Sequence, residues 1–349
     1  MKRYVVISRP GGDFSMDLCF SGLVKKFGVD HVIDIPANDK HRQGLPVLVG
    51  DDEKDYGVER RSLCYVSGCE SMRHWTVSDI RREYVMGNIV YIFMDETDWS
   101  FEQYLKVFGP LAKMIRRKDI IVIAGHDSYR GNPMLTDERF DSSLKAQFID
   151  DWNSMYDVIM AAGDTIAPLY VTNLSCNFDH LWSNQRRYAH PKNDICFIGY
   201  NSNPIRKVVI DHVRSNWSHL DNAIVLEERH DMFNKFIRHS QMFDMMANSK
   251  ICLNLPGAST GGRALRFYEI PFVGSYMLTK RFDAVVLDPP RHRVHCSYFD
   301  TLDELDEEID WALKNPMERR EIAERGASHF AAHHTDVARI DYIFGKLDG

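Results

Sequence analysis

The stretch Leu253-Asn254-Leu255-Pro256-Gly257-Ala258-Ser259-Thr260-Gly261-Gly262-Arg263-Ala264-Leu265-Arg266-Phe267-Tyr268-Glu269 holds residue types that a phosphate-handling site needs, in a usable order. An apolar strand runs into a Gly- and Ser/Thr-rich loop, and the loop opens a helix. The first backbone N–H groups of that helix would face an anion. Arg263 and Arg266 stand one helical turn apart and share a face, which offers two forked cations to a diphosphate. Glu269 lies one turn further along that face. A lone acceptor carboxylate there suits a pair of sugar hydroxyls. Gly257 and Gly262 have the spacing of a P-loop, but Arg263-Ala264 stands where Lys-Ser/Thr is required. No G-x-G-x-x-G follows any strand, so a nicotinamide or flavin site has no motif behind it. The competing reading is a plain strand–helix turn with Arg–Glu pairs on a solvated face.

Other strand ends carry weaker signals. Arg9-Pro10-Gly11-Gly12-Asp13 follows the first apolar run, and Gly11 and Gly12 would let another group approach the backbone closely. Met94-Asp95-Glu96-Thr97-Asp98 sets carboxylates at a strand end, as a catalytic base or as a helix N-cap cluster. Gly125-His126-Asp127 offers a base or a phosphate contact, although a lone His is more often structural. Gly199-Tyr200-Asn201-Ser202-Asn203-Pro204 offers N–H groups to a phosphate, or simple capping with Pro in the first helical turn. The acid-rich run Leu302 to Asp310 reads as a solvated helix face. His333 and His334 are adjacent on a helix and point to different faces, which disfavours a metal pair. The Cys residues, seven in all, include no C-x-x-C pair.

The elements that would position these residues alternate between strand and helix. Tyr4–Ile7, His31–Ile35, Asn88–Met94 and Asp119–Gly125 read as buried strands, with helices over Phe20–Phe27 and Tyr104–Arg117. The scheme repeats with strands at Ile195–Gly199, Ala223–Leu226, Ile251–Leu255 and Tyr276–Leu278, with Val285–Leu287 as a further candidate strand. Helices are expected over Pro204–Arg214, Met232–Asn248, Arg263–Ile270, Leu302–Lys314, Pro316–His334 and Val337–Leu347. Near-continuous apolar runs separated by helices imply parallel strands covered on both faces. The fold class is therefore α/β, with two Rossmann-like domains and a cleft between them. The polar stretch 183–193 sets the boundary: residues 1–190 form an N-terminal domain, 191–335 a C-terminal domain and 336–349 a terminal helix. In such sheets ligands bind beyond the carboxyl ends of strands.

The chain has 349 residues, with 43 Lys plus Arg against 50 Asp plus Glu, for a formal net charge of −7. That balance argues against nucleic-acid binding by bulk charge. No run reaches the ~18 apolar residues of a membrane helix, and the apolar start ends at Ser8-Arg9-Pro10, too soon for a signal peptide. A reducing cytoplasm is the expected location.

The second half also carries an ordered set of features: Phe197-Ile198-Gly199, Asn203-Pro204-Ile205-Arg206-Lys207, Ser249 to Asn254, the Gly-rich loop, Arg266 to Glu269 and Gly274 to Thr279. Tyr298-Phe299, Leu302 to Leu305, Asn315 to Ala323, His333-His334-Thr335 and Arg339 complete it. Over about residues 194–345 this order resembles the C-terminal domain of group 1 glycosyltransferases of the GT-B fold, in the spore-maturation-type branch. A weaker likeness runs to viral glucosyltransferases that modify DNA bases.

The resemblance implies a nucleoside-diphosphate sugar as co-substrate, a UDP-sugar being the first expectation, with no bound cofactor or metal. Ser259, Thr260, Gly261, Gly262 and Arg263 or Arg266 would hold the diphosphate, with Gly199 on the donor side, and Glu269 would take the ribose. The N-terminal domain would receive a glycan or small-molecule acceptor beside Gly11, Gly12 and Glu96. Many retaining relatives carry two Glu separated by seven residues; here Glu269 fills the second place and Gly261 the first. Retention is therefore not implied, and an inverting reaction needs a base, for which Asp95, Glu96, His126 and Asp13 are candidates. DNA as the acceptor would require basic pairs such as Arg60-Arg61, Arg81-Arg82, Arg116-Arg117-Lys118 and Arg186-Arg187 to line a groove. A non-catalytic nucleotide-binding module and a sugar-nucleotide epimerase of the same fold are the remaining alternatives.

Overall fold

Tyr4, Val5, Val6 and Ile7 are all buried, Tyr4 and Val6 in one apolar cluster and Val5 and Ile7 in another. Alternate side chains of one strand thus enter two cores, as a parallel strand covered on both faces requires. The computed structural model describes residues 1–8, 14–37, 46–47, 60–61, 69–95, 98–111, 114–115, 119–123, 190–227, 239–256, 266–281 and 288–347.

The chain divides into two compact units. The first takes Met1–Val47, Arg61–Asn177 and Thr335–Gly349, and the second takes Leu48–Arg60 and Phe178–His334. In the first unit, β1 (Arg3–Ile7), β2 (Val32–Ile35), β3 (Ile89–Asp95) and β4 (Ile120–Ile123) form a parallel sheet in the order β2-β1-β3-β4. Helix α1 (Phe14–Phe27) covers one face. Helices α2 (Val77–Val85) and α3 (Asp98–Phe108) cover the other. The Thr76 hydroxyl accepts from the Asp79 amide at 3.1 Å and the Asp79 carboxylate accepts in return, a capping box that starts α2.

Two helices of this unit differ from the sequence pattern. The apolar stripe predicted Phe20–Phe27, whereas α1 begins at Phe14. The pattern also predicted Tyr104–Arg117, whereas α3 runs from Asp98 to Phe108 and gives way to a 3-10 turn at Gly109–Leu111. Pro110 lacks the N–H an α-helix would need and its ring clashes with the preceding turn, so the helix stops.

The C-terminal helix α9 (Asp336–Leu347) packs against α1 within the first unit. Gly22 makes this possible: a Cβ there would lie 2.7 Å from Ile340 Cγ1 and 2.9 Å from the Asp336 carbonyl. The buried Asp336 carboxylate accepts from Ser21 Oγ at 2.7 Å and pairs with Lys25 at 3.1 Å. Phe344 sits edge-on to Tyr4 and Tyr91, at 5.5 and 5.6 Å between ring centroids.

The second unit repeats the design with one strand more. Its strands are β5 (Asn193–Tyr200), β6 (Asn222–Glu227), β7 (Ser249–Asn254), β8 (Tyr276–Lys280) and β9 (Ser297–Phe299), all parallel in the order β9-β8-β7-β5-β6. The other elements are α4 (Pro204–Asn216), α5 (His239–Ala247), α6 (Arg266–Phe272), α7 (Leu302–Lys314) and α8 (Pro316–His333). One apolar cluster joins Phe197, Ile251 and Leu253 of the sheet to Val209 and Val213 of α4 and Leu305 and Ile309 of α7.

The acid-rich helix α7 corrects one expectation, because two of its carboxylates turn inward. Asp306 accepts from Trp217 Nε1 at 2.6 Å, and the buried Glu308 accepts from Arg293 Nη2 at 2.8 Å and Nε at 3.1 Å. Counting acids by helical spacing missed this because both partners come from other elements. The expected start of α6 at Arg263, the first part of the Met232–Asn248 helix and the strand at Val285–Leu287 lie outside the described residues. Among the described residues no helix is long and apolar enough to cross a membrane.

Candidate active site

Counted within the second unit, the strand order is 2-1-3-4-5, and its topological switch point lies between the carboxyl ends of β5 and β7. Strand order reverses there, which opens a crevice with no crossover above it. Arg206 occupies that place. It is in the first turn of α4, whose start is set by Asn203, accepting from the Ile205 amide at 3.1 Å, and by Pro204 at the first helical position. The residue is 7 % exposed. Its Nη1 donates to the Tyr200 carbonyl at 2.7 Å, its Nη2 to Leu255 at 3.1 Å and its Nε to Pro256 at 2.8 Å. One planar cation therefore ties the end of β5 to the root of the Gly-rich loop, using the fixed fork of donors that only arginine supplies. Burial, with the charge of Arg266 adding to it, lowers the Arg206 pKa to about 10.

Gly199 has a packing role in this arrangement. A Cβ on it would stand 3.0 Å from the Phe197 ring and 3.1 Å from Arg206 Nη1. Glycine leaves the guanidinium room to lie against the strand end. Arg206 carried no role in the sequence reading, because nothing in a linear pattern separates it from any arginine at a helix start. The signal was there in combination: a glycine at a strand end and an arginine seven residues later, in the first turn of the next helix.

Arg266, the first residue of α6, donates through Nε to the Ile198 carbonyl at 3.2 Å and through Nη1 to the Glu269 carboxylate. Glu269 is 4 % exposed and the Arg266 side chain 23 % exposed. The Arg–Glu pair foreseen as the plain alternative is thus present, but it is sunk at the strand ends and does not lie on a solvated face. Leu255 and Pro256 carry the chain on toward the loop. One residue earlier, the fully buried Asn254 donates to Thr279 Oγ1 at 2.8 Å while its own Oδ1 has no partner among the described residues.

Gly199, Arg206, Arg266 and Glu269 therefore gather at the carboxyl ends of β5 and β7. Ser259, Thr260, Gly261, Gly262 and Arg263, expected beside them, lie outside the described residues. So do Gly11, Gly12, Asp13, Glu96 and His126. Asp95 is the last residue of β3, at the carboxyl edge of the first sheet, where the sequence pattern put it. Of the basic pairs, Arg81 is spent on the Val107 and Lys106 carbonyls at 2.6 and 2.8 Å, and Arg82 pairs with Asp79 at 2.6 Å. The side chains of Arg60 and Arg61 and the runs at 116–118 and 186–187 lie outside the description.

The adjacent His333 and His334 lie in different surroundings: His333 is half exposed and faces the Asp288 carboxylate at 3.7 Å, whereas His334 is buried. His334 caps α8. Its Nε2 donates to the Asp288 carbonyl at 3.2 Å, and His329 Nε2 donates to the same oxygen at 2.8 Å. His295 stacks on His329 at 4.1 Å between ring centroids. Among the described residues no group of His, Cys, Asp or Glu is placed to hold a metal ion.

Comparison with known proteins bears on the same unit. Residues 196–345 match the glycosyl transferase-like family model, so a glycosyl transferase-like region covers almost the whole second sheet, α4 to α8 and most of α9. Solved structures that resemble the chain include a sucrose-phosphate synthase from Thermosynechococcus elongatus, at 9% identity over 99% of each chain with a TM-score of 0.44. A glycosyltransferase from Rickettsia africae aligns at 13% identity over 99% of each chain, with a TM-score of 0.48. Anabaena HepE in complex with UDP aligns at 8% identity over 100% of each chain, with a TM-score of 0.43. No curated protein matches the sequence.

Proposed function

We propose that the chain is a glycosyltransferase that moves a sugar from a nucleoside-diphosphate sugar to an acceptor hydroxyl on a glycan or small molecule. The observation that carries this reading is the coincidence of the glycosyl transferase-like region, residues 196–345, with the cationic switch point of its own sheet. In this reading Arg266, with Arg263 and the N–H groups of Ser259 to Gly262, neutralises the diphosphate, and Glu269 accepts from the ribose hydroxyls. The Arg266–Glu269 pair holds each side chain in one orientation before the donor arrives. Arg206 acts through position, fixing the root of the loop. The acceptor oxygen forms its bond to the anomeric carbon as the bond from that carbon to the diphosphate breaks. The acceptor proton passes to a base, Asp95, His126 or Asp13, and the leaving charge is met by protein cations without a metal.

Thermal unfolding of the full chain with UDP, GDP and ADP, each alone, tests the donor assignment. A nucleotide at about 100 times its Kd adds ~2.7 kcal/mol of stability. The expected result is a shift with one nucleoside diphosphate and its sugars that disappears in Arg266→Ala and in Glu269→Ala. Stability unchanged by every nucleotide diphosphate and nucleotide sugar would overturn the proposal.

A further inference from the structure

We propose that the amino end of the second sheet holds a separate site for a phosphate group, carried by a small metabolite or free in solution. A cavity of about 360 Å³ opens there, at the opposite ends of the strands from Arg206 and Arg266. That volume is at the low end of the ~300–1,000 Å³ typical of small-molecule pockets, so it suits a molecule of monosaccharide-phosphate size. Its walls come from the entries to β7 and β8 and from the first turns of α8.

Its lining is cationic. Lys250, Arg319 and Arg320 face it, against Glu324 as the one lining carboxylate. Arg319 carries the most weight. Its Nη1 donates to the Ala312 carbonyl at 2.7 Å, and the other donors of the guanidinium have no hydrogen-bond partner among the described residues. Burial holds its pKa below the usual arginine value despite the opposing charge of Asp194. Those donors stay accessible at the cavity wall, where an anion can accept from them. Arg320 stands 4.0 Å from Glu324, both side chains about half exposed, a pair too loose to satisfy either. Lys250 is hydrogen-bonded to Asp194. The serines are floor and not ligands: Ser249 Oγ donates to the Met245 carbonyl at 2.6 Å and Ser275 Oγ to Met246 at 2.7 Å. With Lys250 held by Asp194, the two forked cations Arg319 and Arg320 are the groups that face a tetrahedral dianion.

Isothermal titration of the full chain with inorganic phosphate, and separately with a hexose monophosphate, tests the site. Phosphate is expected to bind wild type, and about tenfold or more weaker in Arg319→Gln and in Arg320→Gln, as loss of a charge-assisted bond requires. Arg320 is exposed enough that its variant folds whatever the fate of Arg319→Gln. Tighter binding of the hexose monophosphate identifies a metabolite as the source, and equal binding identifies free phosphate; both support the site. No heat with either probe overturns it, and so does binding that Arg319→Gln and Arg320→Gln both leave unchanged. Both variants lie at the amino end of the sheet, so they leave nucleotide binding at its carboxyl end unchanged.

Discussion

Replacing Arg206 by lysine should loosen the second unit while keeping the charge. Three hydrogen bonds, to the carbonyls of Tyr200, Leu255 and Pro256, radiate from one plane in the wild type. An ammonium is a single point on a flexible stem, and it can satisfy one of the three acceptors well. Two charge-assisted bonds are lost, each of the order of 1.5–3 kcal/mol, and two carbonyls are left under-satisfied. Part of this is returned because a smaller, mobile ammonium reaches water that the guanidinium could not. A net loss of about 3 kcal/mol is the reasoned figure, and at about 2–4 °C per kcal/mol it lowers the Tm by roughly 6–12 °C. Urea unfolding of the full chain, followed by tryptophan fluorescence and far-UV circular dichroism, reads the loss; Trp217 and Trp311 report from the second unit. Nucleotide binding should weaken with it, because the loop root is held by the same guanidinium. A variant within about 0.5 kcal/mol of wild type, the range of an ordinary surface change, would refute the idea that the three-carbonyl fork holds the strand ends together.

Two further outcomes follow from close contacts and from the histidine cluster. Gly326→Ala puts a Cβ 2.3 Å from the His295 carbonyl oxygen, a backbone atom that cannot step aside. A loss of about 1–3 kcal/mol in urea unfolding is expected from overpacking alone, whereas Gly345→Ala, with nothing near its Cβ, should be neutral. Burial first, then the neighbouring charges of His329, Arg291, Arg325 and His333, pushes the His295 pKa down to about 4. Its folded pKa is below the unfolded value of 6.5, so the folded state binds fewer protons between the two. Its contribution is complete above pH 6.5 and is lost as pH falls through that window toward 4. Stability measured against pH should fall across that interval and flatten in His295→Gln; an unchanged slope would show that the ring titrates normally.

The alternation of strands and helices was legible because it rests on local chemistry. Leu302–Lys314 was bounded correctly from its apolar spacing, and Thr301 accepts from the Glu304 amide where a cap was needed. Asn203-Pro204 announced α4 for the same reason. The limits of α3 were misread although Gly109-Pro110 was in plain view, because an apolar stripe that continues past a proline outweighed the stop it imposes. The outward reading of the acid-rich helix failed at Asp306 and Glu308, since their partners Trp217 and Arg293 are far away in sequence.

At the candidate site, Arg266 and Glu269 were visible as a one-turn pair on a strand–loop–helix unit, and Asp95 as a strand end. These are properties of a short window, where periodicity and residue type decide which atoms are near one another. What a window cannot contain is the order of strands in a sheet. Only the 2-1-3-4-5 order brings Tyr200 beside Leu255 and Pro256, so only the tertiary structure turns Arg206 into the bolt of the site and explains why Gly199 must lack a side chain. The return of α9 to the first unit, against Gly22, is of the same kind. The sequence by itself determined which segments are strands and helices and which of their ends carry charge. The fold decided which of those charges meet, because burial and electrostatic coupling depend on distances that the order of residues leaves open.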